Sequence, residues 1–276
     1  MQLFPPAKVN LRLRVLRRRE DGFHEIESLF APISLCDELT IRPNEKPGVE
    51  FSCDDPALST GEENLVMLAA RRFFAEVKDE PRVRIELRKK IPHGAGLGGG
   101  SSDAASTLLG LNAFAGNPLT RARLTTLAAD LGSDVPFFMS ESAAICRGRG
   151  EIVEPVEKLP AWPLLLLKPE FGVPTPWAYQ RWRDSNGLPG IDYSAQSLGE
   201  LFLQNDLERP VFEKYVFLAR LKSWLRAQTE VMAALLSGSG STVFAVLRDA
   251  QQAEELVTRA RAEMDPKLWS CACSVR

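Results

Sequence analysis

The run Ile91-Pro92-His93-Gly94-Ala95-Gly96-Leu97-Gly98-Gly99-Gly100-Ser101-Ser102-Asp103-Ala104-Ala105 constrains this chain more than any other stretch. Its glycines let successive backbone N–H groups turn toward one concave point without Cβ obstruction. A helix that begins at the end of the run adds unpaired N–H donors and a partial positive charge. Such a segment holds an anion, phosphate above all, without a cationic side chain. The Ala/Leu-rich Asp103–Leu111 supplies the helix, so the run reads as a phosphate cradle rather than a flexible connector.

Context decides which kind of cradle. Gly94, Gly96 and Gly99 satisfy G-x-G-x-x-G, but a dinucleotide fingerprint needs a strand leading straight into the loop and a second strand, bearing an acid, after the helix. Lys89-Lys90-Ile91-Pro92 separates the expected strand Val83–Arg88 from the first glycine, and the segment beyond the helix reads as another helix. No Gly-Lys-Ser/Thr follows for a P-loop, and the H-R-D and D-F-G of protein kinases are missing.

A length of 276 residues with 45% hydrophobic content supports two closely packed lobes. The net charge of −2 argues against nucleic acid as a partner, and the arginines of 12–19 read as a solvated strand face and turn. The start of the chain has no signal-peptide pattern and no 18-residue apolar run occurs, so a cytoplasmic protein without membrane attachment is expected. Cys36, Cys53, Cys146, Cys271 and Cys273 are scattered and odd in number, which disfavours a disulfide framework. Cys271-x-Cys273 fits a closing strand better than a metal site, and His24 and His93 are too few for a His-rich one.

Val9, Leu11, Leu13 and Val15 alternate with Lys8, Asn10, Arg12 and Arg14, which predicts a strand with one wet face over 7–16. Further strands are expected at Glu25–Leu35, Asp37–Arg42, Val49–Cys53, Val83–Arg88 and Ser142–Cys146. Helices are expected at Asn64–Phe74, Ser102–Phe114 and Leu119–Leu131. Prolines 155, 160 and 163 mark a lobe boundary, giving units 1–152 and 153–276. Beyond it come strand Leu164–Lys168, the aromatic-rich Trp177–Trp182, helices Leu198–Phe202 and Val211–Arg226, and a second glycine turn, Ser237–Thr242. Strand Val243–Leu247, helix Ala250–Met264 and strand Leu268–Val275 close an α+β sandwich.

Phosphoryl transfer needs a phosphate cradle, a cation for the developing charge and a group that orients or deprotonates the acceptor. Lys8, with Asn10 on the same strand face, offers the cation; Asp134, at a turn before Val135-Pro136-Phe137-Phe138, offers the base. Alone, Lys8 also reads as a solvated strand lysine and Asp134 as a turn-capping acid.

Pro6-Ala7-Lys8-Val9-Asn10-Leu11, Asp21-Gly22-Phe23-His24, Pro92–Ala105, Leu131–Phe137 and Leu236–Phe244 occur in the order seen in the GHMP kinases, which the whole chain resembles. The Asp-Gly-Phe-His element makes it similar to the members that act on a cytidine-diphosphate methylerythritol. The resemblance implies a two-lobed GHMP kinase fold, with an N-terminal ribosomal-protein-S5-like lobe and a C-terminal ferredoxin-like α/β sandwich lobe. It implies ATP and Mg2+ as cofactors, and transfer of the γ-phosphoryl group to the 2-hydroxyl of the methylerythritol moiety in non-mevalonate isoprenoid biosynthesis. It makes Lys8 and Asp134 catalytic. It assigns ATP to Pro92, His93, Gly94, Ala95, Gly96, Leu97, Gly98, Gly99, Gly100, Ser101 and Ser102, leaving open which serine touches magnesium. For the substrate it implies His24 and Phe23 at the cytosine, Tyr179 as the stacking ring, and Asn10 and Thr175 at the polyol. Phe23 stands where tyrosine is frequent, which removes a hydroxyl. Without the resemblance, His24 is a turn histidine and Tyr179 a core aromatic. A mevalonate, homoserine or sugar kinase of the same fold, or a silent nucleotide sensor, remain the rival readings, and the chain is expected as a monomer or homodimer.

Overall fold

The computed structural model describes residues 1–140 and 142–276. In chain order the first half runs β1 (Gln2–Leu3), β2 (Pro6–Arg18), β3 (His24–Cys36), β4 (Glu38–Pro43), β5 (Gly48–Cys53), α1 (Leu65–Val77), β6 (Arg82–Arg88), α2 (Gly99–Phe114), α3 (Arg121–Leu131) and β7 (Ala144–Gly148). Then come β8 (Ile152–Pro155), β9 (Pro163–Lys168), α4 (Thr175–Arg181), β10 (Gln196–Leu198) and β11 (Leu201–Asn205). The chain closes with α5 (Glu208–Lys214), α6 (Val216–Arg226), β12 (Val231–Leu236), β13 (Val243–Leu247), α7 (Ala253–Glu263) and β14 (Trp269–Ser274).

Among the described residues three sheets form, ordered β1-β4-β6-β5, β10-β11-β2-β3-β7-β8 and β12-β13-β9-β14. The six-stranded one is the hub, because β11 from the second half lies parallel to β2, with Asn205 opposite Leu13. Its face carrying Val9, Leu11, Leu29, Ala31 and Ile33 packs on Leu164 and Leu166 of β9 and on Phe244 and Val246 of β13. The alternate residues Leu165 and Leu167 face the other way, into a core shared with α5, α6 and α7. Period-two alternation in an all-apolar strand thus joins two cores across one sheet.

The first core lies between the β1-β4-β6-β5 sheet and helices α1, α2 and α3. Helix α2 is buried on nearly every side, as its Ala/Leu/Gly composition allows. Gly98, at φ +72, caps its start, so the helix begins at Gly99, earlier than the sequence suggests. Asn64 caps α1 by accepting from Val66 N, and Gly132 ends α3.

Three expectations change, and one strand was not foreseen. The wet face of β2 is wet only in its second half: Lys8 and Asn10 are 3% and 2% exposed, because they bond each other and lie under two glycine turns. Leu198–Phe202 is no helix but the hairpin β10–β11, turned at Gly199 with φ +61 and alternating inward at Leu201, Leu203 and Asn205. The helix expected over Val211–Arg226 is split at Tyr215, whose ring stacks on Phe171 at 5.4 Å, so tertiary packing overrides helical propensity. Val231–Leu236, which carries no alternation, is a strand because nearly all of it is buried on both faces.

Candidate active site

The glycine run is closed at its base by a buried cluster. Asp37 Oδ1 accepts from the backbone N–H of Lys90 at 2.6 Å and of Ile91 at 2.8 Å. Its other oxygen pairs with the Lys89 ammonium, which also donates to Asp103 Oδ2 at 2.8 Å in the first turn of α2. The segment entering the cradle and the helix leaving it are thereby tied together. Burial pushes the Asp103 carboxyl up to about 7 against the pull of Lys89. Burial draws the Lys89 ammonium down, but the Asp103 and Asp37 carboxylates outweigh it and hold Lys89 above its ordinary value. Asp103 Oδ1 is buried without a protein partner.

Lys8 sits beneath the cradle on β2. Its backbone N–H donates to Leu97 O at 2.9 Å, and its ammonium donates to Gly96 O at 3.1 Å and Asn10 Oδ1 at 2.7 Å. The ammonium also lies 4.7 Å from the Phe30 ring centre and 3.5 Å from Asp134 Oδ2. Asn10 is oriented in turn, since its amide donates to Ser28 Oγ at 2.9 Å and Ser28 donates to Arg12 O. Asp134 follows the glycine that ends α3, and its side chain keeps 31% of its exposure while Lys8 keeps 4%. A buried, fully oriented cation thus faces an accessible carboxylate, which is the arrangement a proton-accepting step at a hydroxyl requires.

The second glycine turn completes the wall. Ser237 Oγ donates to Gly96 O at 3.0 Å and Thr242 N donates to Ala95 O at 3.2 Å, pinning the two turns against each other. Gly96 has φ +74, and a Cβ there would stand 2.1 Å from Ser237 O. No side chain fits.

Farther along, His24 opens β3 and is 8% exposed. Its ring centre lies 5.5 Å from Tyr179 and 6.1 Å from Trp182, both brought by the segment at α4. Burial, helped by the charge of Arg18, holds the imidazole below its ordinary value, so it is neutral at pH 7. Burial and the Asp134 charge push the Tyr179 phenol upward. Thr175 Oγ1 lies 2.8 Å from Ser239 Oγ, and the Arg149 guanidinium sits 4.9 Å over the half-exposed Phe23 ring.

One cavity of about 820 Å³ runs past all of these groups. Pro92 through Ser101, Lys8, Asn10, Asp134, Phe23, His24, Thr175 and Tyr179 line it together. Ser102 does not: it is fully buried in α2, and its Oγ has no partner. The sequence reading did not name Leu58, Asn64, Leu65 and Lys89 as lining residues at the phosphate end, nor Asp21, Arg149 and Gln180 at the other. Arg149 had a signal, being bracketed by Gly148 and Gly150; Leu58 had none, since an isolated loop leucine reveals nothing of what it faces.

Comparison with known proteins follows the same outline. Residues 64–142 match the family model for the GHMP kinases N terminal domain, and residues 193–266 match that for the GHMP kinases C terminal. A 4-diphosphocytidyl-2-C-methyl-D-erythritol kinase from Methylacidiphilum infernorum is 41% identical over 96% of this chain and 93% of that protein. One from Synechococcus elongatus is 38% identical over 98% of this chain and 94% of its own length. A crystal structure of a 4-(cytidine 5'-diphospho)-2C-methyl-D-erythritol kinase superposes with a TM-score of 0.82 at 38% identity, covering 100% of both chains. A mevalonate kinase superposes with a TM-score of 0.69 at 13% identity over 100% of this chain and 99% of its own, a likeness of fold alone.

Proposed function

The chain belongs to the GHMP kinase family, and on that premise we propose that it catalyses ATP-dependent phosphorylation of the 2-hydroxyl of 4-diphosphocytidyl-2-C-methyl-D-erythritol. The reaction is a step of non-mevalonate isoprenoid precursor synthesis, and we place it in the cytoplasm. The observation that carries the reading is the continuity of one cavity from the glycine run, past Lys8 and Asp134, to His24 and Tyr179. A donor nucleotide and a cytidyl acceptor meet in it at the two groups suited to the transfer.

The backbone N–H groups of the cradle and the N-terminus of α2 receive the phosphates. The apolar wall of Leu58, Leu65 and Ile91 gives the adenine ring a surface to lie on. Asp134 orients the acceptor hydroxyl and takes its proton, and general-base help of this kind is worth about 10²–10⁴-fold. Lys8, held by Asn10 and Gly96 and 3.5 Å from Asp134 Oδ2, stabilises the nascent alkoxide. A magnesium ion arriving with ATP would be held by Ser101 and Asp103, a fit supported by the unpartnered Asp103 Oδ1. Bound there, it would supply positive charge to offset that of the phosphates. The neutral imidazole of His24 presents one donor and one acceptor to the cytosine edge, and Tyr179 offers a face for stacking, worth roughly 1–3 kcal/mol.

ADP release measured in parallel with the cytidyl substrate, mevalonate and homoserine tests the assignment. Turnover of the cytidyl compound alone is expected. Turnover of mevalonate or homoserine without it would transfer the protein to another branch of the family, and nucleotide binding with no turnover would make it a sensor.

A further inference from the structure

Strand β11 crosses from the second half of the chain to lie beside the strand that carries Lys8, and it ends in Asn205-Asp206-Leu207-Glu208. These residues do not line the cavity, yet three of their side chains stitch its parts together. Asn205 is 4% exposed and every polar group of its side chain is used. Its Nδ2 donates to Leu236 O and to Gly238 O, each at 2.7 Å, and its Oδ1 accepts from Leu207 N at 2.9 Å. Glu208 Oε1 accepts from Leu236 N at 3.0 Å, while its other oxygen takes a hydrogen bond from the buried Lys222. On the opposite side, Asp206 Oδ2 accepts from Val15 N at 2.8 Å and Asp206 N donates to Leu13 O at 2.9 Å, both on β2.

Gly238 is the consequential end of this stitch. A Cβ placed on it would lie 3.5 Å from Lys8 Nζ, 3.4 Å from Asn10 Oδ1 and 3.3 Å from Gly96 O. Its backbone is therefore part of the floor on which the Lys8 ammonium and the glycine run rest. Two carbonyls flanking Ser237 converge on one amide, and only a side chain with two N–H donors and one acceptor satisfies both while also capping Leu207. We propose that Asn205 is a positioning residue for phosphoryl transfer, setting the seat of the 236–238 backbone against Lys8 and the phosphate cradle. The inference rests on the kinase reading of the site, but not on which acceptor it takes.

Displacing a catalytic group by about 1 Å costs roughly 10²-fold in turnover. Asn205→Asp keeps the volume and replaces two donors with an ionised acceptor aimed at two carbonyl oxygens. At pH 8 kcat is expected to fall about 10²-fold, with both KM values within a few-fold of the unaltered protein and ADP binding still stoichiometric. As the pH is lowered toward 6 the carboxyl gains an O–H donor and one bond returns, so the ratio of variant to unaltered kcat rises. The nearby charged groups, Lys8, Asp206, Glu208 and Lys222, are common to both proteins and cancel in that ratio. Asn205→Ala, which removes the bonds and adds no titratable group, is expected to lose kcat without recovery at low pH, and it decides the matter if the Asp variant does not fold. The ratio is taken on whichever acceptor the unaltered protein phosphorylates, so failure of the cytidyl assignment leaves it readable. Unchanged kcat in the folded variants, or a loss confined to KM or to the fraction of molecules that bind ADP, overturns the proposal.

Discussion

Replacing Gly96 by alanine tests whether the two glycine turns must touch for the site to work. At φ +74 any Cβ costs about 1–2 kcal/mol relative to glycine. This one would also lie 2.1 Å from Ser237 O and 3.0 Å from Gly240 O, both backbone atoms that cannot swing aside as a side-chain tip can. An ordinary carbon–oxygen contact is longer by about 1 Å or more, so the turns must part by that much. Parting them breaks the bonds to Gly96 O from Lys8 and from Ser237, and the bond from Thr242 to Ala95 O. At about 1 kcal/mol for each bond, the total is about 4–5 kcal/mol, a large part of a typical domain's stability. Gly94→Ala is the internal control, because Gly94 has φ +63 but nothing within 4 Å of its Cβ position. That variant is expected to lose only the backbone cost and stay within about tenfold of normal turnover, whereas folded Gly96→Ala loses about 10²-fold through misplacement of Lys8. Urea unfolding and steady-state ADP release on the pair read both effects. Equal losses in the two variants would mean that φ alone matters, and would refute the contact argument.

Asp134→Asn is expected to lower kcat by about 10²–10⁴-fold with little change in melting temperature, since the carboxylate is partly exposed and not part of a core; a loss under tenfold would remove it as the base. Tyr179→Ala is expected to raise KM for the cytidyl acceptor by about 5- to 150-fold, the equivalent of roughly 1–3 kcal/mol, while KM for ATP stays put. A rise in the ATP constant instead would place Tyr179 at the wrong end of the cavity. Asp103 has its carboxyl raised to about 7 from an ordinary 3.8, so between those values the folded state holds a proton that the unfolded state has released. Its contribution to stability is present at low pH and lost as pH rises through about 7. Asp103→Asn cannot ionise and should flatten the decline in unfolding free energy between about pH 4 and about 7, and an unchanged slope there would show that another group sets it.

The local chemistry of the site was largely legible in the chain. Glycine spacing followed by an Ala/Leu helix specifies a phosphate cradle because backbone N–H geometry is a property of consecutive residues. Lys8 and Asn10 share a face through the two-residue period of a strand, and their side chains do meet at 2.7 Å. The misreadings have one physical source. Leu198–Phe202, the single helix expected at Val211–Arg226 and the unrecognised strand Val231–Leu236 are segments whose local pattern is ambiguous and whose state is settled by what packs on them. The same limit hid Lys89 and Asn205, since each depends on partners farther along the chain. Sequence alone determined which residues form the glycine turns, which strand residues share a face and which carry charge, because periodicity and glycine content act over a few residues. Tertiary structure alone decided that Lys8 and Asp134, far apart in the chain, lie 3.5 Å from each other, and that Asn205 seats Gly238 beside them, because those distances arise from sheet order and core packing.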